Sequence, residues 1–262
     1  MSDFRIILST KADGNLSFLH GDRAEVESNR AAFYAAHGIN ARDIAFIEPR
    51  HTGSVAVVGR KGKAKVEGET ISVLEPFLKA PAIDADFPDY LTAFDGLVTF
   101  DPTASVALLS ADCVPLVVID EVTGLHGILH VGLLGLLNDI TGAFAEILRS
   151  HSIPADRIKF YFGPHISASD YDLSKSGMWK RVGTQALERC PWLDQFISRR
   201  DGGQFLDLAG ALKFRLVHIG ALSGNMTFDS RSTAEEGSEF FSHYLAKRNG
   251  VPNGRFMTVV GK

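Results

Sequence analysis

Cys113 stands in Ala111-Asp112-Cys113, between one apolar run and the Val114-Pro115 that opens the next. A thiol at such a boundary is reachable, although cysteine there also serves as small, inert core filler. His130 ends the apolar run Leu125–Leu129. Gly132 and Gly135 behind it permit a sharp strand-to-helix turn with close backbone approach. It follows the cysteine by 17 residues across a predicted hairpin, so both side chains can meet at one end of a sheet. An ordinary capping or core histidine is the alternative. His51 lies in Pro49-Arg50-His51-Thr52-Gly53, a turn between strands where a lone histidine is commonly solvated. One thiol and two imidazoles in turns have the composition of an open zinc site. Thiolate and imidazole suit the metal, and three protein ligands leave a position for water or substrate. The spacing is irregular, unlike a zinc ribbon, so residue type alone leaves the reading open.

Other chemistries find less support. Gly59–Gly62 lacks the GxxxxGK[ST] pattern of a phosphate loop. No GxSxG elbow exists to serve an acyl hydrolase. Asp201-Gly202-Gly203 reads as a turn, and Cys190-Pro191-Trp192 as a helix end without a role. His126 shares the face of His130 at an even offset, and a core hydrogen bond would account for it.

The elements that must position these residues are short and alternate. Residues 3–10 predict a strand, a turn at Asp13-Gly14-Asn15 follows, and Leu16–His20 predicts a second strand. Arg23–His37 predicts a helix stopped by Gly38. Ile44–Glu48 and Ser54–Val58 read as strands, as do Gly96–Phe100, Ser105–Leu109, Val114–Ile119 and Leu125–His130, with a hairpin turn at Glu121–Gly124. Val131–Arg149 predicts one buried helix. Ile158–Phe162 is a strand, and Gly177–Cys190, Phe205–Leu222 and Glu235–Arg248 are predicted helices before a last strand, Phe256–Val260. No repeat and no Pro/Gly/Ser linker divides the chain, so residues 1–262 are expected to form one α+β domain.

Composition narrows the function classes. The 262 residues are 45% hydrophobic and 22% charged, which excludes an extended disordered chain. Lys+Arg 27 against Asp+Glu 31 gives −4 and a pI near 6.1, without the basic excess that collects nucleic acid or an anionic membrane. The run Arg60-Lys61-Gly62-Lys63-Ala64-Lys65 reads as a solvated loop. No apolar stretch approaches the roughly 18 residues of a membrane span. Met1-Ser2-Asp3-Phe4-Arg5 lacks the apolar stretch of an export signal. A reduced, cytoplasmic chain is the expectation.

Several ordered blocks resemble the laccase-domain family, also called multicopper polyphenol oxidase or YfiH-type purine nucleoside phosphorylase. Leu16–Asp22 with Asn29-Arg30 is similar to its S-x-x-x-G-D … N-R stretch, and Pro49–Val55 to its Q-V-H-G-x-x-V segment. Asp95-Gly96-Leu97-Val98-Thr99 and Ser110–Pro115 resemble its D-x-L-V-T … T-A-D-C-x-P core. His130–Gly135 stands where the family has H-A-G-W-R-G. Gly163-Pro164-His165-Ile166 with Tyr171, and Phe240-Phe241-Ser242 with Gly254–Met257, resemble its later blocks. The resemblance covers nearly the whole chain. It implies a layered, YfiH-like α+β fold with mixed β-sheets flanked by helices. It also implies zinc held by His51, Cys113 and His130, with Cys113 and His130 central to catalysis.

The activity so implied is cleavage of purine nucleosides, methylthioadenosine among them, by phosphate, with adenosine deamination in some members. A metal that lowers a water's pKa toward about 7 serves such chemistry. Partners are then a nucleoside and phosphate, acting on a monomer or homodimer. The chain departs from the family at Leu133-Leu134, where Trp-Arg is usual, and leucine cannot replace a bidentate guanidinium. Glu48 or Pro49 stands near an expected Gln. His243 and Tyr244 replace arginines, leaving Arg248 and His165 as candidate donors. These departures keep three rivals in view: a Cys/His amidase acting on a cell-wall precursor, a non-catalytic metal or nucleoside binder, and a copper-dependent polyphenol oxidase. Copper ranks below zinc because the dense His-x-His signature of a multicopper centre is missing.

Overall fold

The computed structural model describes residues 4–66, 69–77 and 94–262. β1 (Arg5–Leu8) leads through an irregular segment to α1 (Arg23–His37). The Asp22 carboxylate caps α1 by accepting from the Ala24 and Glu25 N–H groups, and Gly38, at φ 66°, ends it. β2 (Ile44–Ile47), β3 (Val55–Val66), β4 (Glu69–Phe77), β5 (Gly96–Thr99), β6 (Ser105–Ser110), β7 (Val114–Asp120) and β8 (Leu125–Val131) follow. α2 (Leu133–Leu137) and α3 (Ile140–Ser150) precede β9 (Lys159–Phe162). The chain continues through α4 (Gly177–Arg189), β10 (Ile197–Arg200), β11 (Gly203–Leu206) and α5 (Leu208–His218). β12 (Met226–Phe228), α6 (His243–Asn249) and β13 (Phe256–Gly261) complete it.

A mixed seven-stranded sheet runs β12-β9-β7-β8-β5-β3-β4, and a four-stranded sheet runs β1-β13-β6-β2. Alternating side chains divide them between three cores. Val55, Val57, Leu116, Val118 and Leu129 face α2 to α5. Ala56, Val58, Val117, Ile119 and Ile128 face the other sheet, meeting Val106 and Leu108 of β6. Ala107 and Leu109 point the opposite way, onto Phe33 and Tyr34 of α1. The central strands are covered on both faces, which explains why they read as continuous apolar runs rather than alternating ones. Phe144 of α3 is fully buried, with its ring edge-on to Phe160 of β9. Phe144→Ala should therefore cost about 3–5 kcal/mol, read as a lowered denaturant midpoint at unchanged slope.

The expected layered arrangement of mixed sheets and helices is present, but several predicted elements differ. Leu16–His20 is irregular rather than a strand, because its backbone goes to loop partners such as the Arg255 carbonyl, which accepts from Leu16 N–H at 3.2 Å. The single helix predicted over Val131–Arg149 is two. Val131 still belongs to β8, and Asp139, at φ 58°, breaks the helix and caps α3 by accepting from Gly142 N–H. In Phe205–Leu222, the first two residues belong to β11 and Asp207 caps the shorter α5. Of the predicted Glu235–Arg248 helix only the part from His243 onward is helical, in an α6 that runs His243–Asn249. The basic run Arg60–Lys65 is not a loop but the far half of β3, paired to a β4 that the sequence pattern did not reveal. Asp3, the predicted start of the first strand, and the rest of residues 1–3 lie outside the described residues. No helix among the described residues is long and apolar enough to cross a membrane.

Sheet order fixes where chemistry can occur. β3 and β5 run parallel, with Val55 opposite Gly96, while β8 is antiparallel to both β5 and β7. The starts of β3, β5 and β7 and the finish of β8 therefore share one end of the sheet.

Candidate metal centre and its cavity

That end of the sheet brings together His51 from the turn before β3, Cys113 from the turn before β7, and His130 near the end of β8. Their ligand-capable atoms all lie within 4.8 Å of one another. His51 Nε2 is 3.7 Å from Cys113 Sγ, and the two imidazole rings meet edge-on at 4.8 Å. His51 (φ 63°) and Asp112 (φ 84°) both adopt left-handed backbone, which side chains with a Cβ enter at a cost.

Asp95, just before β5, holds the His51 turn. Its fully buried carboxylate accepts from His51 N–H at 2.7 Å, from Thr52 N–H, from Thr52 Oγ1 at 2.7 Å, and from His130 Nδ1 at 3.2 Å. One side chain thus sets the His51 loop and fixes the proton of His130 on Nδ1, leaving Nε2 as its ligand atom. Asn138, behind α2, donates from Nδ2 to the His51 carbonyl at 2.8 Å. Asp112 ties the cysteine turn to α6, accepting from Thr233 Oγ1 at 2.7 Å and Tyr244 N–H at 2.6 Å. Burial pushes its carboxyl above the usual range, against the pull of hydrogen bonds from Ser242, Thr233 and Tyr244.

The charges of the group are coupled. Burial alone would raise the Cys113 thiol, but the charge and hydrogen bond of His130, then His51, outweigh it and bring it down to about 6. Burial disfavours the charged form of His130, yet the Cys113 thiolate and Asp95 lift it to about 10. Asp95 is drawn down to about 2, as His130 and Thr52 overcome its burial. A cation placed among these atoms meets a ready thiolate.

The donor set fits zinc. Bond lengths of about 2.1 Å to nitrogen and 2.3 Å to sulfur put tetrahedral ligands about 3.6 Å apart, close to the His51–Cys113 separation. Gly132 keeps the space open, because a Cβ there would come within 2.5 Å of Cys113 Sγ and 3.3 Å of the His51 ring. Gly132→Ala should weaken zinc binding about tenfold with little change in melting, read by competition with a chromogenic chelator. Unchanged affinity would show that the turn yields to the methyl group.

The three residues open into a cavity of about 650 Å³. Leu19, Leu133, Leu134, Met178 and Leu208 supply its apolar wall, and Tyr171 and Tyr244 place their rings 6.4 Å apart, edge to face. Leu133 and Leu134 thus face the cavity where the resemblance expected Trp-Arg. Arg248 also lines it, but lies over the Tyr244 ring and donates to its hydroxyl at 3.0 Å. His165 is not among the lining residues, and its Nδ1 is 2.7 Å from the Gly163 carbonyl. His126 is buried with its ring nitrogens 3.0 and 2.9 Å from the Gly124 and Ala104 carbonyls, a role in the fold. Cys190 is a free thiol against the helix-side core. Sequence reasoning passed over Asp95 as a site residue, although it begins the D-x-L-V-T block. It also passed over His20 and Arg255, and had His243 only as the replacement of a family arginine. All three line the cavity, one from near the start of the chain and two from near its end.

Residues 8–262 match the family described as multi-copper polyphenol oxidoreductase laccase. The chain is 28% identical over 247 residues to a purine nucleoside phosphorylase of Deinococcus radiodurans, covering 94% of this chain and 81% of that one. It is 24% identical over 244 residues to adenosine deaminase RL5 of an unknown prokaryotic organism, with coverages of 92% and 80%. Among solved structures, YlmD from Geobacillus stearothermophilus has the same fold at a TM-score of 0.74. Its identity is 23%, over 99% of this chain and 92% of that one.

Proposed function

The chain belongs to the multi-copper polyphenol oxidoreductase laccase family, and from that premise we propose that it is a zinc-dependent purine nucleoside phosphorylase with adenosine deaminase as a related activity. The observation that carries this is the His51–Cys113–His130 donor set opening into a cavity of nucleoside size. The names of the relatives in Deinococcus radiodurans and the unknown prokaryote support the substrate class. In phosphorolysis a phosphate oxygen bonds the anomeric carbon as the bond to the purine breaks, and the electron pair leaves on the base. Zinc, when bound, supplies a Lewis acid that steadies negative charge and lowers the pKa of a water. The leucine wall and Met178 exclude water from the apolar faces of the substrate. The Tyr171 and Tyr244 rings offer π-faces to a base. Asp95 keeps His130 oriented, so little reorganisation is required as charge develops.

The test is chromatography of adenosine and inosine incubated with zinc-replete protein, with and without phosphate, beside a Cys113→Ala control. Free base appearing only with phosphate supports phosphorolysis, and inosine from adenosine supports deamination. No product from any purine nucleoside overturns the reading.

The Cys113 thiol, drawn toward thiolate beside His130, favours one second reading: a Cys/His amidase with Cys113 as nucleophile and His130 as base. Amide hydrolysis by metal-free protein, lost on thiol alkylation, would support it. Activity that requires zinc would count against it.

A further inference from the structure

We propose that Arg255, together with His243 and His20, forms an oxyanion subsite for a phosphate dianion in the same cavity as His51, Cys113 and His130. This deepens the phosphorolysis reading and supplies the anion contact that Leu133-Leu134 cannot. The three residues come from the irregular segment before α1, the first turn of α6 and the approach to β13, and all line the cavity.

Their roots are tied together. Asn15 Oδ1 accepts from Arg255 N–H at 2.9 Å, and Asn15 Nδ2 donates to the Ser17 carbonyl at 3.0 Å. Asn253 Nδ2 lies 3.3 Å from His20 Nδ1, and the His20 and His243 rings are 6.5 Å apart. Arg255 Nη2 lies 3.5 Å from His243 Nδ1, while Nη1 donates to Asn253 Oδ1 at 3.0 Å and to the Gly254 carbonyl at 2.7 Å.

Every one of these partners is neutral, and among the described residues no carboxylate lies within ion-pair distance of Arg255. The acids whose charge reaches it are engaged elsewhere. Asp112 is held by Thr233 and Tyr244 N–H, the Cys113 thiol is paired with His130 and His51, and Glu48 accepts from Phe18 N–H at 3.1 Å and lies 3.8 Å from Arg30. A guanidinium carries five N–H donors, so Arg255 keeps capacity for an oxyanion. Burial, with the charge of Arg255, holds His20 down to about 4 and lowers His243, to which Lys247 adds. A half-buried guanidinium without an anionic partner, beside two neutral imidazoles able to donate hydrogen bonds, is the electrostatic complement of a phosphate.

The shared chemistry is that of a phosphate dianion, whether free or carried on a nucleotide. Zinc-replete protein, Arg255→Gln and Arg255→Lys would be titrated calorimetrically with inorganic phosphate and, separately, with adenosine 5′-monophosphate. No turnover is needed. Arg255→Gln should weaken phosphate binding about tenfold or more, with Arg255→Lys between it and the parent. Loss confined to the inorganic phosphate arm identifies a free acceptor, and loss confined to the monophosphate arm identifies a nucleotide phosphate. Equal binding by parent and Arg255→Gln in both arms overturns the subsite while leaving phosphorolysis to stand on another anion contact. Phosphate binding that depends on Arg255 in a protein without nucleoside cleavage would sink phosphorolysis and keep the subsite. His243→Ala, melted alongside, provides the same test should Arg255→Gln fail to fold, and unweakened phosphate binding by it overturns the subsite equally.

Discussion

Cys113→Ala is expected to abolish nucleoside turnover and to weaken zinc binding by more than about 100-fold, beyond the roughly 10–100-fold typical of an outer hydrogen-bond partner. The thiolate is the one anionic member of the donor set, and its two imidazole neighbours serve a metal as neutral ligands. The fold should persist. Cys113 sits in a turn at the cavity rather than within the three apolar cores, so the loss in stability should be about 1 kcal/mol or less. Cys113→Asp separates the readings further. A carboxylate retains an anionic ligand atom, so zinc should bind more tightly than in Cys113→Ala, with part of the turnover kept. A nucleophilic cysteine would leave Asp and Ala equally inactive. Zinc affinity measured against a chelator, with turnover at saturating metal, decides between them. Full turnover by Cys113→Ala would end the metal reading.

The site was legible where it rests on local punctuation. Apolar runs ending at Cys113 and His130 placed both at strand boundaries, and the Pro49–Gly53 turn placed His51 between two strands, as β3, β7 and β8 have them. What joins these residues is long-range pairing, which a single chain does not write into its local pattern. β5 lying between β3 and β8 puts Asp95 against both histidines, and no spacing rule links residue 95 to residues 51 and 130. The helix break at Asp139 was obscured for a related reason. The apolar period of Leu133, Leu137, Ile140 and Phe144 continues across it, while the left-handed backbone of Asp139 separates the helices and its side chain takes the local hydrogen bonds that start the second. Leu16–His20 read as a strand because Leu16 and Phe18 alternate with Ser17. Both Leu16 and Ser17 are buried, and Ser17 serves loop hydrogen bonds rather than a solvent face. Glu235–Arg248 looked helical by composition, yet Phe240 and Phe241 are held in loop conformation by burial, and Ser242 caps the short helix that follows. His20, His243 and Arg255 each stood in or beside a family-like block, but nothing in the sequence joined them, because they converge only when the first and last strands pair.

Asp95→Asn should lower zinc affinity by about tenfold, and Asp95→Ala by about 100-fold, with turnover falling in step. The arithmetic of donors explains the difference. One carboxylate oxygen accepts from His51 N–H and His130 Nδ1–H, and the other from Thr52 N–H and the Thr52 hydroxyl. An asparagine has only one oxygen, and its NH₂ must face one of these pairs. Set against Thr52, the NH₂ can donate to a rotated hydroxyl, leaving only Thr52 N–H unpaired. Set against His130 and His51, it meets two hydrogens that cannot turn away. The first arrangement prevails, so His130 keeps an acceptor but loses the negative charge that strengthened its hold. Stability should drop by about 1–3 kcal/mol for the one buried donor left without a partner. Asp95→Ala strands the whole set, frees the His130 ring, and releases the strained His51 turn from its carboxylate anchor. Chelator competition would read zinc affinity, and denaturant unfolding would read stability. A purely structural role predicts lower stability in both variants with zinc affinity of the folded protein unchanged, and that result would remove Asp95 from the description of the metal centre.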